Sequence, residues 1–221
     1  MAPVITIDGP SGSGKGTIAG LLAARLGWHV LDSGALYRVL GFAAEQAGVN
    51  LEDGERLAEL ALEMELRFHD GKVLLNEQDV SLAIRSERAG NAASRVAALP
   101  EVRSALLQWQ RACATAPGLV ADGRDMGSVV FPDAAVKVFL DASPEERARR
   151  RYKQLIEKGL SANLESLVSE IRERDDRDRN RSVAPLRAPQ GALIVDSTAL
   201  SIEEEVLERV LARVGETLPE L

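Results

Sequence analysis

The segment from Gly9 to Thr17 contains the residue types that bind a polyphosphate. Glycines let consecutive backbone N–H groups turn toward an anion, and the start of the following helix adds partial positive charge. Lys15 can then reach the terminal phosphates. The pattern predicts that this loop binds a nucleoside triphosphate. Its residues are Gly9, Pro10, Ser11, Gly12, Ser13, Gly14, Lys15, Gly16 and Thr17.

The loop departs from the usual phosphate-loop pattern at one position. Ser or Thr normally follows the lysine directly and bonds to Mg²⁺. In this chain Gly16 occupies that position and Thr17 comes one residue later. The direct bond from a hydroxyl to the metal is therefore not predicted here.

Arginines outside the loop could neutralise a second phosphate. Arg38 and Arg124 each follow an apolar run, and the segment 172–181 contains a further cluster. In that segment Arg174 and Asp178 would share one helix face with Arg181. A solvated helix with ion pairs is the commoner explanation for any single arginine. Three groups beside one phosphate loop favour phosphate binding.

Short apolar runs, each followed by aspartate, predict the strands that position these side chains. Little polar alternation and intervening helical patterns predict an α/β fold. Its parallel sheet has five strands, is wrapped by helices and is buried on both faces. The aspartates are either helix caps or ligand-binding residues at the carboxyl edge of the sheet. The runs are Val4–Ile7, Val30–Leu31, Leu119–Ala121, Val136–Leu140 and Leu193–Val195.

The stretch between the second and third runs is longer than one crossover helix requires and predicts an inserted lobe at about 38–117. Two short alternating runs predict a hairpin that turns at Asp70–Gly71 and forms a small antiparallel sheet. The remaining predicted core segments are 1–37, 118–142 and 183–221. Helices are predicted at 36–45, 55–65, 87–98 and 101–115.

The segment from Ser143 to Glu146 predicts a capping box at the start of a helix. On that helix Arg147, Arg150 and Arg151 would share a face and could reach the phosphates of the nucleotide. We predict a helical lid and an adjoining arginine-rich helix at about 143–182. Ion pairing with nearby glutamates is the alternative explanation for these arginines.

Composition narrows the class of protein and its setting. The chain has 221 residues, of which 27 are Lys or Arg and 34 are Asp or Glu, so one acidic domain is expected. No run approaches the ~20 apolar residues of a membrane helix, and no signal peptide is evident. Cys113 is the single cysteine, which fits a reducing cytoplasm. We expect a cytoplasmic monomer that binds neither nucleic acid nor membranes.

These motifs resemble those of the bacterial cytidylate kinases, which are P-loop nucleoside monophosphate kinases. The resemblance covers essentially the whole chain and includes the Gly16-Thr17 variant of the loop. It implies a sheet of the P-loop NTPase type, an insert that binds CMP, and ATP-dependent phosphorylation of CMP and dCMP. The segments that carry it are Gly9–Thr17, Asp32–Arg38, Asn91–Ser94, Asp122–Ala134 and Glu173–Arg181.

The resemblance also implies roles for individual residues in binding CMP. Arg38, Arg124 and Arg181 would hold its phosphate, and Arg174 and Asp178 would face the ribose. An acid paired with an arginine suits the donor and acceptors of cytosine. The residues implied at the base are Ser94, Arg103 and Asp125, with Ser33 in the same pocket.

The reaction implied for this site needs no general base. The second pKa of a phosphate monoester is about 6, so the attacking oxygen is already ionised at pH 7. Catalysis then rests on alignment and charge neutralisation, for which Lys15, Arg124 and Arg181 are the candidates. Mg²⁺ would be held by the phosphates of ATP, with Thr17 or Asp122 as outer supports and no direct protein ligand assigned.

Two other classes of function remain open from the residues alone. One is another small-molecule P-loop kinase that acts on UMP, AMP, shikimate or a coenzyme precursor. The other is a nucleotide-dependent switch or RNA-binding protein. The guanine motif Asn-Lys-x-Asp is absent, and Tyr152 is the only aromatic residue from Arg147 to Arg187, which disfavours the second class.

Overall fold

The computed structural model describes residues 2–69, 72–157, 159 and 161–220. The chain forms two compact units, the first made of residues 1–31 and 113–221 and the second of residues 32–112. The second unit overlaps the predicted lobe at 38–117 along most of its length. The predicted turn at Asp70–Gly71 lies outside the described residues.

The chain alternates between strands and helices at its start and has two or three elements of one kind in succession over much of the rest. The strands are β1 (Val4–Asp8), β2 (His29–Asp32), β3 (Leu66–His69), β4 (Lys72–Leu75), β5 (Gln78–Asp79), β6 (Leu119–Gly123), β7 (Val136–Asp141) and β8 (Leu193–Asp196). The helices are α1 (Lys15–Leu26), α2 (Ser33–Ala47), α3 (Gly54–Glu63), α4 (Glu87–Val96), α5 (Pro100–Ala112), α6 (Pro144–Glu157), α7 (Leu164–Asn180) and α8 (Leu207–Thr217).

A five-stranded sheet in the order β2-β6-β1-β7-β8 forms the centre of the first unit. Strand β1 pairs in parallel with β6 and β7, so that Ile5 lies opposite Val120 on one side and Val136 on the other. Strand β8 continues the sheet in parallel with β7. This topology confirms the predicted parallel α/β fold, and the carboxyl ends of β1, β6 and β7 meet at one edge.

Burial differs between the middle and the edges of this sheet. Strands β1 and β6 are buried throughout. By contrast, Val30 on β2 is 48% exposed and Ile194 on β8 is 65% exposed. The prediction that all five strands are covered on both faces is therefore wrong for the two edges. An edge strand has a neighbour on one side only, and α1 and α8 pack their apolar residues on the central strands.

The second unit combines four helices with a small sheet. Helices α2 and α4 pack closely at Gly41. A Cβ atom on Gly41 would lie only 2.9 Å from the Cβ atom of Ala92. Strands β3, β4 and β5 form an antiparallel sheet, which confirms the predicted hairpin strands. Strand β5 was not predicted, since two residues are too short for a period-2 pattern.

The start of α6 realises half of the predicted capping box. Ser143 Oγ accepts a hydrogen bond from the Glu146 N–H at 3.2 Å. The reciprocal bond is replaced, because the Ser143 N–H donates to Thr198 Oγ1 and the Glu146 carboxylate accepts from Arg149 and Arg150. A guanidinium competes well for a carboxylate because the hydrogen bond is assisted by charge. None of the helices in the described ranges is long and apolar enough to cross a membrane.

Candidate nucleotide-binding site

The phosphate loop connects β1 to α1 and turns at glycines in the left-handed region. Gly12 has φ 79° and Gly14 has φ 96°. A Cβ atom on Gly14 would also come within 2.6 Å of Ile202. Both conformation and space therefore require glycine at Gly14, which precedes the first turn of α1.

Lys15 lies at the start of α1 and is mostly buried, with 8% of its surface exposed. Its ammonium donates to the Pro10 carbonyl at 3.1 Å and lies 3.9 Å from Asp122 Oδ1. Asp122 is the penultimate residue of β6 and lies opposite Ile7 of β1 in the sheet. These contacts hold the charge of Lys15 over the loop.

The Ser13 hydroxyl is a further polar group of the loop. Ser13 is fully buried, and its Oγ has no hydrogen-bond partner within the described part of the chain. A buried hydroxyl without a partner has a cost of desolvation that a bound anion would relieve. This makes Ser13 a candidate donor to a phosphate oxygen.

The three arginines of α6 lie in different environments. Arg147 is fully buried and donates to the Ser11 carbonyl at 3.1 Å. Arg150 donates to the Ser13 carbonyl at 3.3 Å. Arg151 donates to Gln154 at 3.5 Å. Arg147 and Arg150 therefore bind carbonyl groups of the phosphate loop, because the loop packs against the first turns of α6.

A second cluster of charges lies where the loop after β6 meets α7. Arg124 donates through Nε to Asp178 at 3.1 Å, and Arg181 lies 3.9 Å from Asp125. Arg181 is the residue directly after α7, and its ψ of 141° turns the following chain away from the helix. Its Nε donates to the Ala184 carbonyl at 2.6 Å. The two acid–arginine pairs nevertheless lie together in the first unit.

Asp8 is a functional candidate that the sequence argument did not select. It ends β1, is fully buried, and accepts hydrogen bonds from the N–H groups of Met126 and Gly127 at 2.7 and 2.8 Å. Burial, opposed by these two bonds and reinforced by Asp125 and Asp122, raises the pKa of Asp8 to about 7. Asp8 thus anchors the segment that carries Arg124 and Asp125.

The second unit holds the remaining predicted substrate residues. Arg38 on α2 donates to the Ile84 carbonyl at 2.9 Å and the Ser86 carbonyl at 3.3 Å. Arg103 on α5 donates to the Ala97 carbonyl at 3.2 Å, and its guanidinium lies 5.9 Å from the centre of the Tyr37 ring. Ser33 and Ser94 are buried in this unit.

Oxygen donors near Lys15 offer a place for a hard cation. The Asp122 carboxylate would lie 3.2 Å from a Cβ atom on Gly16, and the adjacent Thr17 is exposed. Mg²⁺ prefers oxygen ligands and is often bound by one or two protein groups together with substrate phosphates. These residues fit such an ion. Over the described ranges, no group of three His, Cys, Asp or Glu residues is placed to hold a metal by itself.

Two further residues emerge only from the structure. Asp175 on α7 pairs with Arg147, and Ser197 after β8 accepts from Arg150. Asp175 precedes Asp178 by three residues, and this helical spacing is the only signal that the sequence offers for it. No local pattern distinguishes Ser197 from other serines that follow a strand.

The comparison with known proteins decides the family. A family model described as Cytidylate kinase matches residues 5–216. The chain belongs to the cytidylate kinase family. This confirms the resemblance on which the substrate roles depend, since the match spans both units and the phosphate loop.

Relatives in this family share most of their length with the chain. A protein named cytidylate kinase from Aeromonas salmonicida is 61% identical over 216 residues, which cover 96% of this chain and 94% of that protein. Another so named, from Photobacterium profundum, is 62% identical over 207 residues, which cover 92% and 91%. A solved structure of an uncharacterized protein from Eubacterium ventriosum covers 95% of this chain and 96% of its own, with 9% identity and a TM-score of 0.52. That last likeness concerns the fold alone.

Proposed function

We propose that this protein transfers the γ-phosphoryl group of ATP to CMP, and also to dCMP, to form the diphosphate and ADP. Membership of the cytidylate kinase family over residues 5–216 carries the proposal. The glycine-rich loop and Lys15 support it, because they provide the backbone donors and the cation that a triphosphate requires.

The donor side of the reaction is assigned to the phosphate loop, from Gly9 to Thr17. Its N–H groups and the Ser13 hydroxyl would bind phosphate oxygens. The ammonium of Lys15 would neutralise negative charge on the γ-phosphoryl group during transfer. Arg151 is the arginine of α6 assigned to contact ATP directly. Arg147 and Arg150 would act through the loop carbonyls that they bind.

Mg²⁺ would be held chiefly by the phosphates of ATP, with Thr17 and Asp122 as the supporting protein oxygens. When bound, the ion would neutralise negative charge on the oxygens of the transferred group. The ammonium of Lys15 lies near Asp122 and would contribute positive charge to the same phosphates.

The acceptor side is assigned to residues from each unit. In the first unit, Arg124 and Arg181 would bind the phosphate of CMP, with Arg174 and Asp178 at the ribose and Asp125 at the base. In the second unit, Arg38 would bind the phosphate, and Ser33, Ser94 and Arg103 would contact the nucleoside. The pairing of Arg124 with Asp178 supports this, because it holds a planar donor in one orientation.

The chemical step follows from these assignments. An ionised oxygen of the CMP phosphate attacks the γ-phosphorus of ATP, and the bond to the β,γ-bridging oxygen breaks as ADP leaves. Lys15, Arg124 and Arg181 would be the catalytic residues, since they neutralise charge on the transferred group and align the two anions. No proton must be removed from the nucleophile.

A panel of acceptors tests the proposal. The purified protein would be assayed with ATP and Mg²⁺ against CMP, dCMP, UMP and AMP, with ADP release and product identity both measured. The highest kcat/KM is expected for CMP and dCMP, and activity should vanish when EDTA removes the metal. Faster phosphorylation of UMP or AMP would contradict the assignment of substrate.

We further propose that the protein acts as a cytoplasmic monomer. The single cysteine suits a reducing compartment, where disulfides do not persist. Light scattering coupled to size-exclusion chromatography should give a mass near 23.8 kDa at assay concentrations. A mass of twice that value would contradict the monomer.

A further inference from the structure

A fully buried ion pair joins α6 to α7 in the first unit. The side chains of Arg147 and Asp175 are 0% and 3% exposed. Arg147 Nη1 donates to Asp175 Oδ1 at 3.0 Å, and Nη2 donates to Oδ2. The pair is therefore bidentate, and it holds the guanidinium plane in one orientation.

Two further N–H groups of Arg147 donate to backbone carbonyls. Nε donates to the Ala142 carbonyl at 2.8 Å, and Nη1 donates to the Ser11 carbonyl at 3.1 Å. Ser11 belongs to the phosphate loop, whereas Ala142 follows β7. One buried side chain thus connects the loop, the sheet and two helices.

The bond to Ser11 constrains the part of the loop that faces an anion. A planar trans peptide directs its C=O and N–H groups to opposite sides. The Ser11 carbonyl and the Gly12 N–H belong to the same peptide, so binding the first directs the second away from Arg147. A Cβ atom on Gly12 would lie 3.2 Å from the Arg147 Cβ atom, which shows how closely the loop packs on α6.

Arg150 likewise binds the carbonyl of the peptide two residues later in the loop. It donates to the Ser13 carbonyl at 3.3 Å, and the same peptide contains the Gly14 N–H. Arg150 is held by Glu146 at 3.1 Å and by the Ser197 carbonyl at 2.6 Å. Two loop peptides therefore take their orientation from the first turns of α6.

Stability alone is a poor explanation for the pair of Arg147 and Asp175. Removing two charges from water costs free energy that their attraction often only balances, and apolar pairs of similar volume are frequently as stable. Asp175 also lies one helical turn before Asp178, which pairs with Arg124. The buried pair thus connects the loop to the helix that orients Arg124.

We propose that Arg147 and Asp175 form a positioning pair for ATP binding. Arg147 orients the Ser11–Gly12 peptide of the phosphate loop toward the triphosphate, and Asp175 holds Arg147 in place. Neither residue touches ATP. The inference rests on the proposed function only in taking ATP as the nucleotide that the loop binds.

The test separates orientation of the loop from stability of the fold. The variant R147M/D175L replaces the pair with apolar side chains and leaves no buried charge, so it should fold. Its Kd for ATP, measured by calorimetry with Mg²⁺ and without CMP, should rise at least about tenfold, or ~1.4 kcal/mol. Thermal unfolding of the unliganded variant should remain cooperative. If the pair served only the stability of the fold, a variant that unfolds cooperatively would keep its affinity for ATP.

A matched control exists on the same two helices. Arg172 on α7 pairs with Glu145 on α6 at the surface, where the side chains are 61% and 51% exposed. R172Q removes a link between the helices without contacting the loop, so its Kd for ATP should stay within about twofold of the wild-type value. Equal weakening of ATP binding by R172Q and R147M/D175L would overturn the proposal.

A conservative variant keeps the test decisive if the double variant does not fold. R147K retains the charge but loses the planar fork, so it cannot reproduce the bidentate pair with Asp175. Its Kd for ATP should rise about threefold to tenfold, and an unchanged Kd in either folded variant would overturn the proposal. ATP binding is measured without an acceptor, so a wild-type protein that binds ATP but does not phosphorylate CMP would contradict the proposed function alone.

Discussion

Arg124 and Asp178 form a hydrogen-bonded ion pair of 3.1 Å in which the side chains are 15% and 5% exposed. Arg124 comes from the loop after β6 and Asp178 from α7, so the pair joins segments far apart in the sequence. The carboxylate accepts from Nε and the Gly123 carbonyl accepts from Nη1 at 3.5 Å, so the guanidinium plane is held in one orientation. A fixed orientation suits the binding of the CMP phosphate that we propose for Arg124.

Removing the acceptor of Arg124 should therefore weaken the reaction with CMP. We expect D178A to lower kcat/KM for CMP by about 10- to 100-fold, which corresponds to ~1.4 to 2.7 kcal/mol. D178N keeps an acceptor oxygen and should lose less. The exposed neighbour supplies the control, since D176A should remain within about twofold of wild type in the same steady-state assay. Equal effects of D178A and D176A would contradict the role of the pair.

Lys15 should be required for phosphoryl transfer but not for folding. Its ammonium contacts the Pro10 carbonyl and Asp122 rather than an apolar core, so K15A should retain a wild-type circular dichroism spectrum. We expect kcat/KM to fall at least about 100-fold, because charge on the transferred group loses its cation. K153A, at an exposed residue of α6, provides the control. Retention of more than about a tenth of the activity would leave less than ~1.4 kcal/mol for Lys15 and would refute the role.

Asp125 tests the choice of base. It is buried beside Arg181, and as an acceptor for the N4 amine of cytosine it would disfavour the carbonyl of uracil. D125A should shrink the CMP/UMP ratio of kcat/KM by about 5- to 150-fold, equivalent to ~1 to 3 kcal/mol.

Arg38 serves as the comparison for that ratio. R38A should weaken CMP and UMP equally, since Arg38 is assigned to the phosphate that both share. General damage to the protein would also lower both activities together and leave the ratio unchanged. A proportional loss with D125A would therefore show that Asp125 does not contact the base.

The raised pKa of Asp8 predicts a dependence of stability on pH. Unfolded Asp8 ionises near 3.8, whereas folded Asp8 keeps its proton up to about 7. The folded state therefore binds more protons within this window, and the contribution of Asp8 falls by about 1.4 kcal/mol per pH unit as pH rises. Above the window the loss is complete, and below it the contribution is fully present.

Denaturation with urea at several pH values measures this effect. The free energy of unfolding of D8N should rise relative to wild type between about pH 4 and 7, because Asn does not titrate. D196N is the control: hydrogen bonds from Thr198 lower the pKa of Asp196, so its titration lies below the window. Parallel curves for wild type and D8N would contradict the raised pKa.

Strands, turns and helix caps could be predicted because they depend on the local sequence. The apolar run before Asp8 and the glycines that follow it define a strand and a turn within a dozen residues, and Asp32 caps α2 through the Ala35 N–H at 2.9 Å. Such features depend on neighbours in the sequence, so their residue types alone indicate them. The family resemblance likewise came from contiguous motifs.

Partners across the chain were decided by the tertiary structure. The sequence shows α6 as a row of arginines beside glutamates, and nothing local distinguishes buried Arg147 from exposed Arg149. Their difference arises because the phosphate loop and α7 pack on one side of α6. The role of Asp8 could not be predicted for the same reason, since the N–H groups of Met126 and Gly127 that donate to it are more than a hundred residues away.

The sequence by itself determined the strand–loop–helix unit, the parallel α/β class and the family of this protein, because each depends on contiguous residue types. The tertiary structure decided which charges are buried and paired. Arg181 follows the end of α7, and Val30 and Ile194 are exposed at the sheet edges. Arg147 donates to the Ser11 carbonyl of the phosphate loop. The reason is physical: burial and pairing depend on surfaces that meet only after the chain has folded, and single-residue patterns do not encode which surfaces meet.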